Sequence, residues 1–259
     1  TQVNQSSTLL RKSKRPSILI GGGVSRDVAY NLRRQFSKLD IPIFTTWNGM
    51  DRISPLSKNY FGMPNTWGQR HANIIIQQSD LLLALGTRLG LQQTGFNWKE
   101  FIPIGNIIQV DIDKRELKKG HPQVKWPYSF DVNNFLPRIL RQNLGSNSEW
   151  IKFSKKVKKD FPLIDKSNKT RNKYVSPYLL MQKLSYISRP KDVLVPCSSG
   201  GVFTAFKQAF TPKFGQKIVS NKGLAAMGYG LSAAIGASFA NNNKRIIHLE
   251  GDGGFSQNL

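Results

Sequence analysis

Short apolar runs alternate with longer amphipathic stretches along the first part of the chain. The short runs have the length and residue types of β-strands, and the longer stretches repeat apolar residues at helical spacing. In chain order these segments are Ile18 to Ile20, Asp27 to Phe36, Ile41 to Phe44, Ala72 to Gln78, Leu81 to Leu85 and Ile107 to Val110. The alternation predicts consecutive β-α-β units.

The run Leu81 to Leu85 is apolar at every position. A strand with one face in water alternates apolar and polar residues, whereas a strand of a parallel sheet is covered by helices on both faces. We therefore predict an α/β fold in which a parallel sheet carries helices on both faces. This first domain is predicted at residues 1–143.

Residues 144–175 differ from the chain on either side, because they are rich in Ser, Asn and Lys and poor in apolar residues. They predict a basic linker that contains a charged connecting helix. A second α/β domain is predicted at residues 176–259, and its first helix begins at the serine cap and N1 proline of Ser176-Pro177. Its strands and its small-residue helix are predicted at Val193 to Val195, Ile218-Val219, Ile246 to Leu249 and Gly228 to Ala240.

The 259 residues include 38 Lys and Arg against 15 Asp and Glu, which gives a formal net charge of +23, and 39% are hydrophobic. This apolar content is that of globular domains with a core. A strong basic excess can bind nucleic acid through phosphate contacts. The basic residues are spread over the chain, however, and no stacking-aromatic or helix-turn-helix signature accompanies them. We therefore expect a solvated basic surface rather than a nucleic-acid partner.

No run of 18 apolar residues is present, and the first residues lack the pattern of a signal peptide. The single cysteine, Cys197, excludes an intrachain disulfide and a cysteine-built metal cluster. We expect a cytoplasmic protein without a membrane partner, in which Cys197 is a packing residue.

The strongest chemical signal is the strand Ile246 to Leu249, which runs into Glu250-Gly251-Asp252-Gly253-Gly254-Phe255. Ligands of open α/β sheets bind at the carboxyl ends of strands. Gly251 and Gly253 would let the backbone turn, and the amides of Gly253 and Gly254 could face a phosphate. The Asp252 carboxylate offers a hard oxygen ligand for magnesium. Taken alone, the pattern also fits a glycine-rich turn in which Asp252 caps a helix.

A second segment, Asn221 to Ala237, carries Met227 in a loop that leads into the small-residue helix. Together with the glycine-rich turn it resembles the cofactor-binding domain of the acetolactate synthase branch of thiamine diphosphate enzymes. The resemblance implies that Met227 supports the bent cofactor and that the Ala225 carbonyl accepts the exocyclic amine of its aminopyrimidine. It also implies that Asp252 binds the metal. Family members usually have glycine where Ala225 stands, and a gap-filling core position is the alternative for Met227.

The turn Ser198-Ser199-Gly200-Gly201 follows the strand Val193 to Val195. It stands where many of these relatives have Gly-Gln-His for the distal phosphate. Hydroxyls and glycine amides can also bind phosphate, so Ser199 and Gly200 are assigned to the diphosphate. An ordinary serine-rich turn is the alternative.

The first domain resembles the middle domain of the same enzymes in the order and approximate spacing of its motifs. The motifs are Ile20-Gly21-Gly22-Gly23-Val24, Phe44-Thr45-Thr46-Trp47-Asn48-Gly49, Phe61-Gly62-Met63-Pro64, Gly68-Gln69-Arg70-His71-Ala72-Asn73, Asp80-Leu81-Leu82-Leu83-Ala84-Leu85-Gly86-Thr87-Arg88 and Asp111-Ile112-Asp113. The ordered set is more specific than any one of its motifs.

In acetolactate synthases the middle domain holds FAD. The contacts that the resemblance implies are Gly22, Gly23, Thr46, Trp47, Gly86, Thr87, Arg88, Asp111 and Asp131. The sequence departs from the family after Arg88, where Gly90 and Gln92 replace an Asp and an Arg. Since some relatives keep this domain without flavin, FAD binding stays open. A nicotinamide-binding fingerprint is the alternative for the glycine motif, but Arg26 stands where its third glycine belongs.

The three histidines, His71, His121 and His248, lack the spacing of metal ligands. We expect them to be core or surface residues, with Arg70 and His71 on a helix surface.

The resemblance implies an enzyme that uses thiamine diphosphate and Mg²⁺ to decarboxylate a 2-oxo acid such as pyruvate and to transfer the two-carbon unit to a carbonyl acceptor. It further implies a homodimer or tetramer. In the family the activating glutamate lies in an N-terminal domain, and the second metal ligand would follow Leu259. We therefore expect an incomplete chain that contains no catalytic residue and is inactive in isolation.

Two other functions stay open. A non-catalytic, truncated relative would retain the first domain as a nucleotide- or partner-binding module, and a natural stop codon after Leu259 would favour it. A basic nucleic-acid-binding protein would show steeply salt-dependent retention on DNA.

Overall fold

The computed structural model describes residues 1–168, 170, 174–197, 199–221, 223–242 and 244–258. They form two compact units, Thr1–Pro162 and Leu163–Leu259. Each unit contains a parallel sheet with helices, so the predicted α/β fold is confirmed. None of the helices in the described part of the chain has the length and apolarity needed to cross a bilayer.

The first unit has eight α-helices and five strands among its described residues. They are α1 Gln2–Lys12, β1 Pro16–Ile20, α2 Arg26–Asn31, α3 Arg33–Lys38, β2 Ile43–Thr45, α4 Arg70–Gln77, β3 Leu81–Leu85, α5 Leu91–Thr94, β4 Asn106–Asp111, α6 Lys114–Leu117, β5 Val124–Ser129, α7 Val132–Ile139 and α8 Ser148–Asp160. The strand order is β2-β1-β3-β4-β5, and all neighbours are parallel. The chain therefore changes direction across the sheet between β1 and β3.

Apolar layers cover both faces of this sheet. On β3, Leu83 and Leu85 pack into one layer with Phe36 of α3 and Phe135 of α7. The alternate residues of the strand pack into the other layer with α4 and α8, where Trp150 is buried. Burial on both sides explains why this strand is apolar at every position.

Two expectations for the first unit differ from the structure. The stretch Asp27 to Phe36 is not one helix, because α2 ends at Asn31 and α3 begins at Arg33. The surface position expected for His71 is wrong. Its side chain is buried, and its Nδ1 lies 3.1 Å from the carbonyl oxygen of Phe161, just beyond the end of α8.

The helix within the predicted linker, α8, packs on the first unit. The indole Nε1 of Trp150 donates to the carbonyl oxygen of Pro16 at 3.0 Å, and Val157 is buried beside α4 in the same layer. This part of residues 144–175 therefore belongs to the first core.

The second unit contains α9 Pro177–Ile187, β6 Val193–Pro196, α10 Gly200–Ala209, β7 Lys217–Ile218, α11 Tyr229–Ala240, β8 Ile246–Leu249 and the short α12 Asp252–Phe255. The parallel strands are ordered β7-β6-β8. The predicted cap of α9 is confirmed, since the Ser176 hydroxyl accepts from the Leu179 amide at 3.5 Å and Pro177 occupies the first helical position. The Arg245 guanidinium clamps the buried Asp192 carboxylate at the start of the sheet.

Candidate functional site

The loops that follow β6 and β8 leave the second sheet side by side. Pro196 and Leu249 are paired at the ends of the two strands, and the Cys197 amide donates to the Leu249 carbonyl oxygen at 2.8 Å. The turn that begins at Glu250 and the turn that contains Ser199 therefore share one edge. This carboxyl edge is where open α/β sheets bind ligands.

The turn after β8 leads directly into α12. Gly251 is the N-cap residue, and Asp252 is exposed at the first helical position. The Gly253 amide donates to Oδ1 of Asp252 at 2.8 Å. A phosphate bound by the Gly253 amide would thus have to replace this internal hydrogen bond.

Met227 lies beside the same turn. A Cβ atom added to Gly253 would be 3.4 Å from the Met227 Cε, so the methionine methyl lies next to the turn that carries Asp252. The Met227 side chain is 49% exposed, which differs from a core methionine that fills a gap. The next residue, Gly228, has a φ of +82° and accepts a hydrogen bond from Asn258 Nδ2 at 2.8 Å.

Ala225 has a φ of +58°. A left-handed backbone favours glycine, because a Cβ crowds the following carbonyl. Ala225 keeps this conformation while its amide donates to the Asn221 carbonyl oxygen at 2.9 Å. The chain thus holds at Ala225 a geometry that glycine adopts without strain.

Open space lies beside three glycines of these two loops. A Cβ atom added to Gly200, Gly201 or Gly251 would have no neighbour within 4 Å. Gly200 begins α10, so the segment expected as a turn opens a helix, with Ser199 as its N-cap. Ser198 and Lys222 lie outside the described residues. Exposed glycine backbone with free space is a fitting cradle for a diphosphate.

A buried polar group next to this edge was not predicted from the sequence. The Glu250 carboxylate fits between Gly230 and Gly254, where an added Cβ on Gly254 would lie 2.5 Å from Glu250 Oε1. His248 Nε2 is 4.0 Å from Glu250 Oε2 and, among the described residues, has no hydrogen-bond partner. Gly254 belongs to the same turn as Glu250, but Gly230 lies in α11, and its contact with Glu250 is visible only in the fold.

Cys197 belongs to the same group. Burial, followed by the negative charge of Glu250, raises the pKa of the Cys197 thiol to about 11. A thiol with so high a pKa remains protonated and unreactive at neutral pH. The predicted packing role of Cys197 agrees with its burial.

Within the described part of the chain, no group of three or more His, Cys, Asp or Glu side chains is placed to hold a metal ion. Protein Mg²⁺ sites often use one or two carboxylates and complete their coordination with phosphate oxygens and water. The single exposed carboxylate of Asp252 fits a Mg²⁺ site of this kind, in which phosphate oxygens and water supply the other ligands.

The nine positions predicted to contact FAD lie at the carboxyl edge of the first sheet. Gly22 and Gly23 follow β1, Thr46 and Trp47 follow β2, Gly86, Thr87 and Arg88 follow β3, Asp111 ends β4, and Asp131 follows β5. The fold therefore brings together residues that span most of the first unit in sequence.

Backbone contacts join the glycine loops at this edge. The Gly23 amide donates to the Gly86 carbonyl oxygen at 3.0 Å, and Gly86 has a φ of +62°. The Gly23 amide is thus already used within the protein. The buried Gln109 side chain donates to the Thr87 carbonyl oxygen at 3.1 Å and fixes the adjoining loop.

The acidic residues of this edge have structural hydrogen bonds. Asp131 is the N-cap of α7, where its carboxylate accepts from the Asn133 amide at 2.8 Å. Asp111 Oδ1 accepts from the Asp113 amide at 2.9 Å. Arg88 is exposed, with its guanidinium 3.8 Å from the Glu116 carboxylate. Of these three side chains, Arg88 is the most accessible to a ligand.

Arg26, which stands where the third glycine of a dinucleotide fingerprint would be, takes part in an ion-pair network with Asp51 and Arg52. Arg26 Nε donates to the buried Asp51 carboxylate at 2.8 Å, and Arg52 pairs with the other oxygen of that carboxylate. This contact ties the first turn of α2 to the segment after β2. Arg26 therefore has a structural partner at the position where a dinucleotide fingerprint has a glycine for close packing of the helix on the strand.

Comparisons with known proteins match both units. The central domain of thiamine pyrophosphate enzymes matches residues 3–139, and their C-terminal thiamine pyrophosphate-binding domain matches residues 199–259. The acetolactate synthase large subunit of Cyanidium caldarium is 31% identical over 100% of this chain and 44% of its own length. Acetolactate synthase 1, chloroplastic, of Zea mays is 32% identical over 99% of this chain and 40% of its own length. The acetolactate synthase isozyme 2 large subunit of Escherichia coli (strain K12) is 28% identical over 100% of this chain and 46% of its own length. The chain spans less than half the length of these relatives.

Proposed function

The chain belongs to the thiamine pyrophosphate enzyme family, and on that basis we propose that it acts in a thiamine diphosphate- and Mg²⁺-dependent enzyme of the acetolactate synthase type. The reaction would decarboxylate a 2-oxo acid such as pyruvate and transfer the two-carbon unit to a carbonyl acceptor. Relatives of this name support the reaction type.

The observation that carries the proposal is the position of the Met227 methyl next to the turn that bears Asp252. The two residues are separated by α11 and β8 in sequence. The nearness of Met227 to this turn supports a site at one carboxyl edge in which Asp252 would offer a carboxylate to a metal and Met227 a large flexible apolar side chain. A cofactor with a diphosphate at one end and aromatic rings at the other requires this combination of surfaces.

Each residue of the edge has a proposed role. Asp252 would bind Mg²⁺ together with diphosphate oxygens, and the backbone of Gly251, Gly254, Ser199 and Gly200 would line the diphosphate. Met227 would support the ring system, and the Ala225 carbonyl would accept a hydrogen bond from its amine. When bound, thiamine diphosphate supplies the carbanion chemistry. The residues of this edge would hold and orient it.

FAD in the first unit and a homodimer or tetramer in the cytoplasm are further parts of the proposal. The convergence of nine predicted contacts on one sheet edge supports a nucleotide there. Gly23, Asp111 and Asp131 make hydrogen bonds within the protein, whereas the Arg88 side chain is exposed and accessible to a ligand.

The test is an assay of the protein encoded by the complete reading frame, with thiamine diphosphate, Mg²⁺, pyruvate and a panel of carbonyl acceptors. Asp252→Ala should lower turnover at least a hundredfold and weaken the Mg²⁺ requirement for cofactor binding. Asp160→Ala, which removes an exposed carboxylate at the end of α8, should leave turnover unchanged. Full activity of Asp252→Ala would overturn the proposal. A wild-type protein without turnover or cofactor binding would favour the non-catalytic alternative.

A further inference from the structure

The Glu250 side chain is buried beneath the carboxyl edge of the second sheet. It is 8% exposed, although it stands only two residues before the exposed Asp252. Glutamate is among the side chains that are least often buried in proteins. The niche that holds it is bordered by Cys197, Gly230, His248 and Gly254.

One carboxylate oxygen of Glu250 reaches α11. A Cβ atom added to Gly230 would overlap Glu250 Oε2, so the carboxylate occupies the space that a side chain would take at this position. Gly230 lies in the first turn of α11, and Met227 immediately precedes the N-cap residue of this helix. Glu250 therefore packs against the end of α11 to which the Met227 loop is attached.

The other carboxylate oxygen reaches the turn that bears Asp252. An added Cβ on Gly254 would lie 2.5 Å from Glu250 Oε1 and 3.3 Å from Glu250 Cγ. Gly254 belongs to α12, which begins at Asp252. Glu250 is thus packed against the backbone of the helix whose first residue is the proposed metal ligand.

Cys197 and His248 also border the carboxylate. The Cys197 thiol donates to the Ser199 carbonyl oxygen at 3.1 Å, and the nearby Glu250 charge contributes, after burial, to the raised pKa of this thiol. The Nδ1 atom of His248 is 3.0 Å from the Val195 carbonyl oxygen, which holds the imidazole against β6. The loop that contains Ser199 is therefore linked to Glu250 through Cys197.

Three segments of one edge thus meet at a single buried side chain. The contacts of Glu250 with α11 and α12 are both made with glycine backbone, and main chain has no flexible end that can move aside. The size of the Glu250 side chain therefore determines how closely α11 and α12 approach each other. Because Met227 adjoins α11 and Asp252 begins α12, the same spacing separates these two residues.

We propose that Glu250 is a positioning residue of this edge, and that its side chain spaces α11 from α12 and thereby sets the position of Met227 relative to the Asp252 carboxylate. The inference rests on the proposed function, in which Met227 and Asp252 are contacts of the cofactor and its metal. Because Glu250 is buried behind them, it acts through these two residues rather than on the ligand.

The test is a Mg²⁺ titration of the protein encoded by the complete reading frame, in the presence of thiamine diphosphate. Binding is followed by isothermal calorimetry at a temperature where circular dichroism shows every variant folded. Glu250→Ala should raise the half-saturating Mg²⁺ concentration about tenfold, because residues that orient a metal ligand from behind have effects of this order. Glu250→Gln has nearly the same size and should restore most of the wild-type affinity. Gly236→Ala, at an open position of the same helix, should bind like wild type.

The same titration separates positioning from stability. A purely structural Glu250 would lower the urea midpoint in Glu250→Ala but leave the half-saturation of the folded protein unchanged, and this result would overturn the proposal. Binding by Glu250→Gln as weak as that of Glu250→Ala would also overturn it, because the proposed role depends on the size of the side chain. A wild-type protein that binds no thiamine diphosphate would instead refute the proposed function, and the role of Glu250 with it.

A double-mutant cycle tests the spacing without any ligand. Gly230→Ala should lower the urea midpoint of the wild-type protein. In the Glu250→Ala background the added methyl group enters the vacated space and should lower the midpoint less. Equal losses in both backgrounds would show that Glu250 does not space α11 from α12, whatever the protein binds.

Discussion

Gly21 and Gly86 face each other with no room for a side chain between them. A Cβ atom added to Gly21 would overlap the Gly86 carbonyl oxygen and lie 2.6 Å from its carbonyl carbon. The loops after β1 and β3 thus touch through main-chain atoms, and main chain at the centre of a sheet cannot move aside cheaply.

Gly21→Ala should therefore destabilise the first unit by about 2 kcal/mol or more, as other overpacking substitutions do. Gly90→Ala is the matched control, because an added Cβ there meets no atom within 4 Å. Its unfolding free energy should change by less than about 0.5 kcal/mol. Urea unfolding followed by circular dichroism measures both; similar midpoints for the two variants would show that the loops are not locked together.

Replacing glycine by alanine should change the unfolding free energy in opposite directions at two positions of α11. An added Cβ on Gly230 would overlap the Glu250 carboxylate and lie 2.6 Å from His248 Cε1, whereas Gly236 faces open space. Gly236→Ala should stabilise the helix by up to about 1 kcal/mol, because alanine is the better helix former. Gly230→Ala should destabilise the second unit by about 1–3 kcal/mol, because the buried Glu250 must move. A stabilised Gly230→Ala would mean that Glu250 leaves its niche freely.

The unfolding free energy of the first unit should decrease as the pH falls from 6.5 to about 4. Burial, then the Lys158 charge, lowers the pKa of His71 to about 4, and burial, then the Lys119 charge, lowers the pKa of His121 to about 4. The unfolded chain binds these protons near pH 6.5, before the folded chain does. The contribution of the two histidines to the unfolding free energy is therefore fully present above pH 6.5 and is lost as the pH falls towards 4. For His71 the loss is up to about 3 kcal/mol.

The two histidines can be separated by comparing urea midpoints at pH 7 and pH 5. His121→Phe should reduce the loss between these pH values, because phenylalanine suits the contacts with Trp98 and Phe101 and binds no proton. An unchanged pH dependence in this variant would assign the acid sensitivity to other groups.

Ala225→Gly should stabilise the Met227 loop. At a φ of +58°, alanine costs about 1–2 kcal/mol relative to an unstrained backbone, which the larger entropy of unfolded glycine offsets in part. We expect a net gain of up to about 1 kcal/mol in the unfolding free energy of the second unit, measured by thermal or urea unfolding. Ala226→Gly, at a neighbouring position without a positive φ, should not stabilise. A loss of stability in Ala225→Gly would show that the methyl group makes compensating contacts.

The sequence predicts the bounds of those strands whose residues are all buried to a similar degree. The strand at Leu81 to Leu85 and the strand Ile246 to Leu249 have the bounds that their apolar runs predict. Strand β5 was missed, because its first residues alternate between exposed and partly buried and include Pro127. Helix α10 was also missed, because Gly200 and Gly201 are typical of a turn although they open a helix here.

The candidate sites could be predicted in part. The order of the motifs identified the family and placed Asp252 and Met227 near one another. The sequence did not predict the niche of Glu250 or the stacking of Trp67 on Trp47, because Gly230 is distant in sequence from Glu250, Trp67 is distant from Trp47, and no characteristic spacing marks either contact. Only the fold determines that Gly230 accommodates Glu250 and that Trp67 stacks on Trp47.

The glycine contact between the loops after β1 and β3 also limits how this edge can evolve. Its floor is made of main-chain atoms, which are the same whatever residue supplies them, and most substitutions at Gly21 would break it. Selection for a different ligand would therefore have to act on the rim, through exposed side chains such as Arg88. One main-chain floor can in this way serve different ligands, each selected by a few exposed side chains.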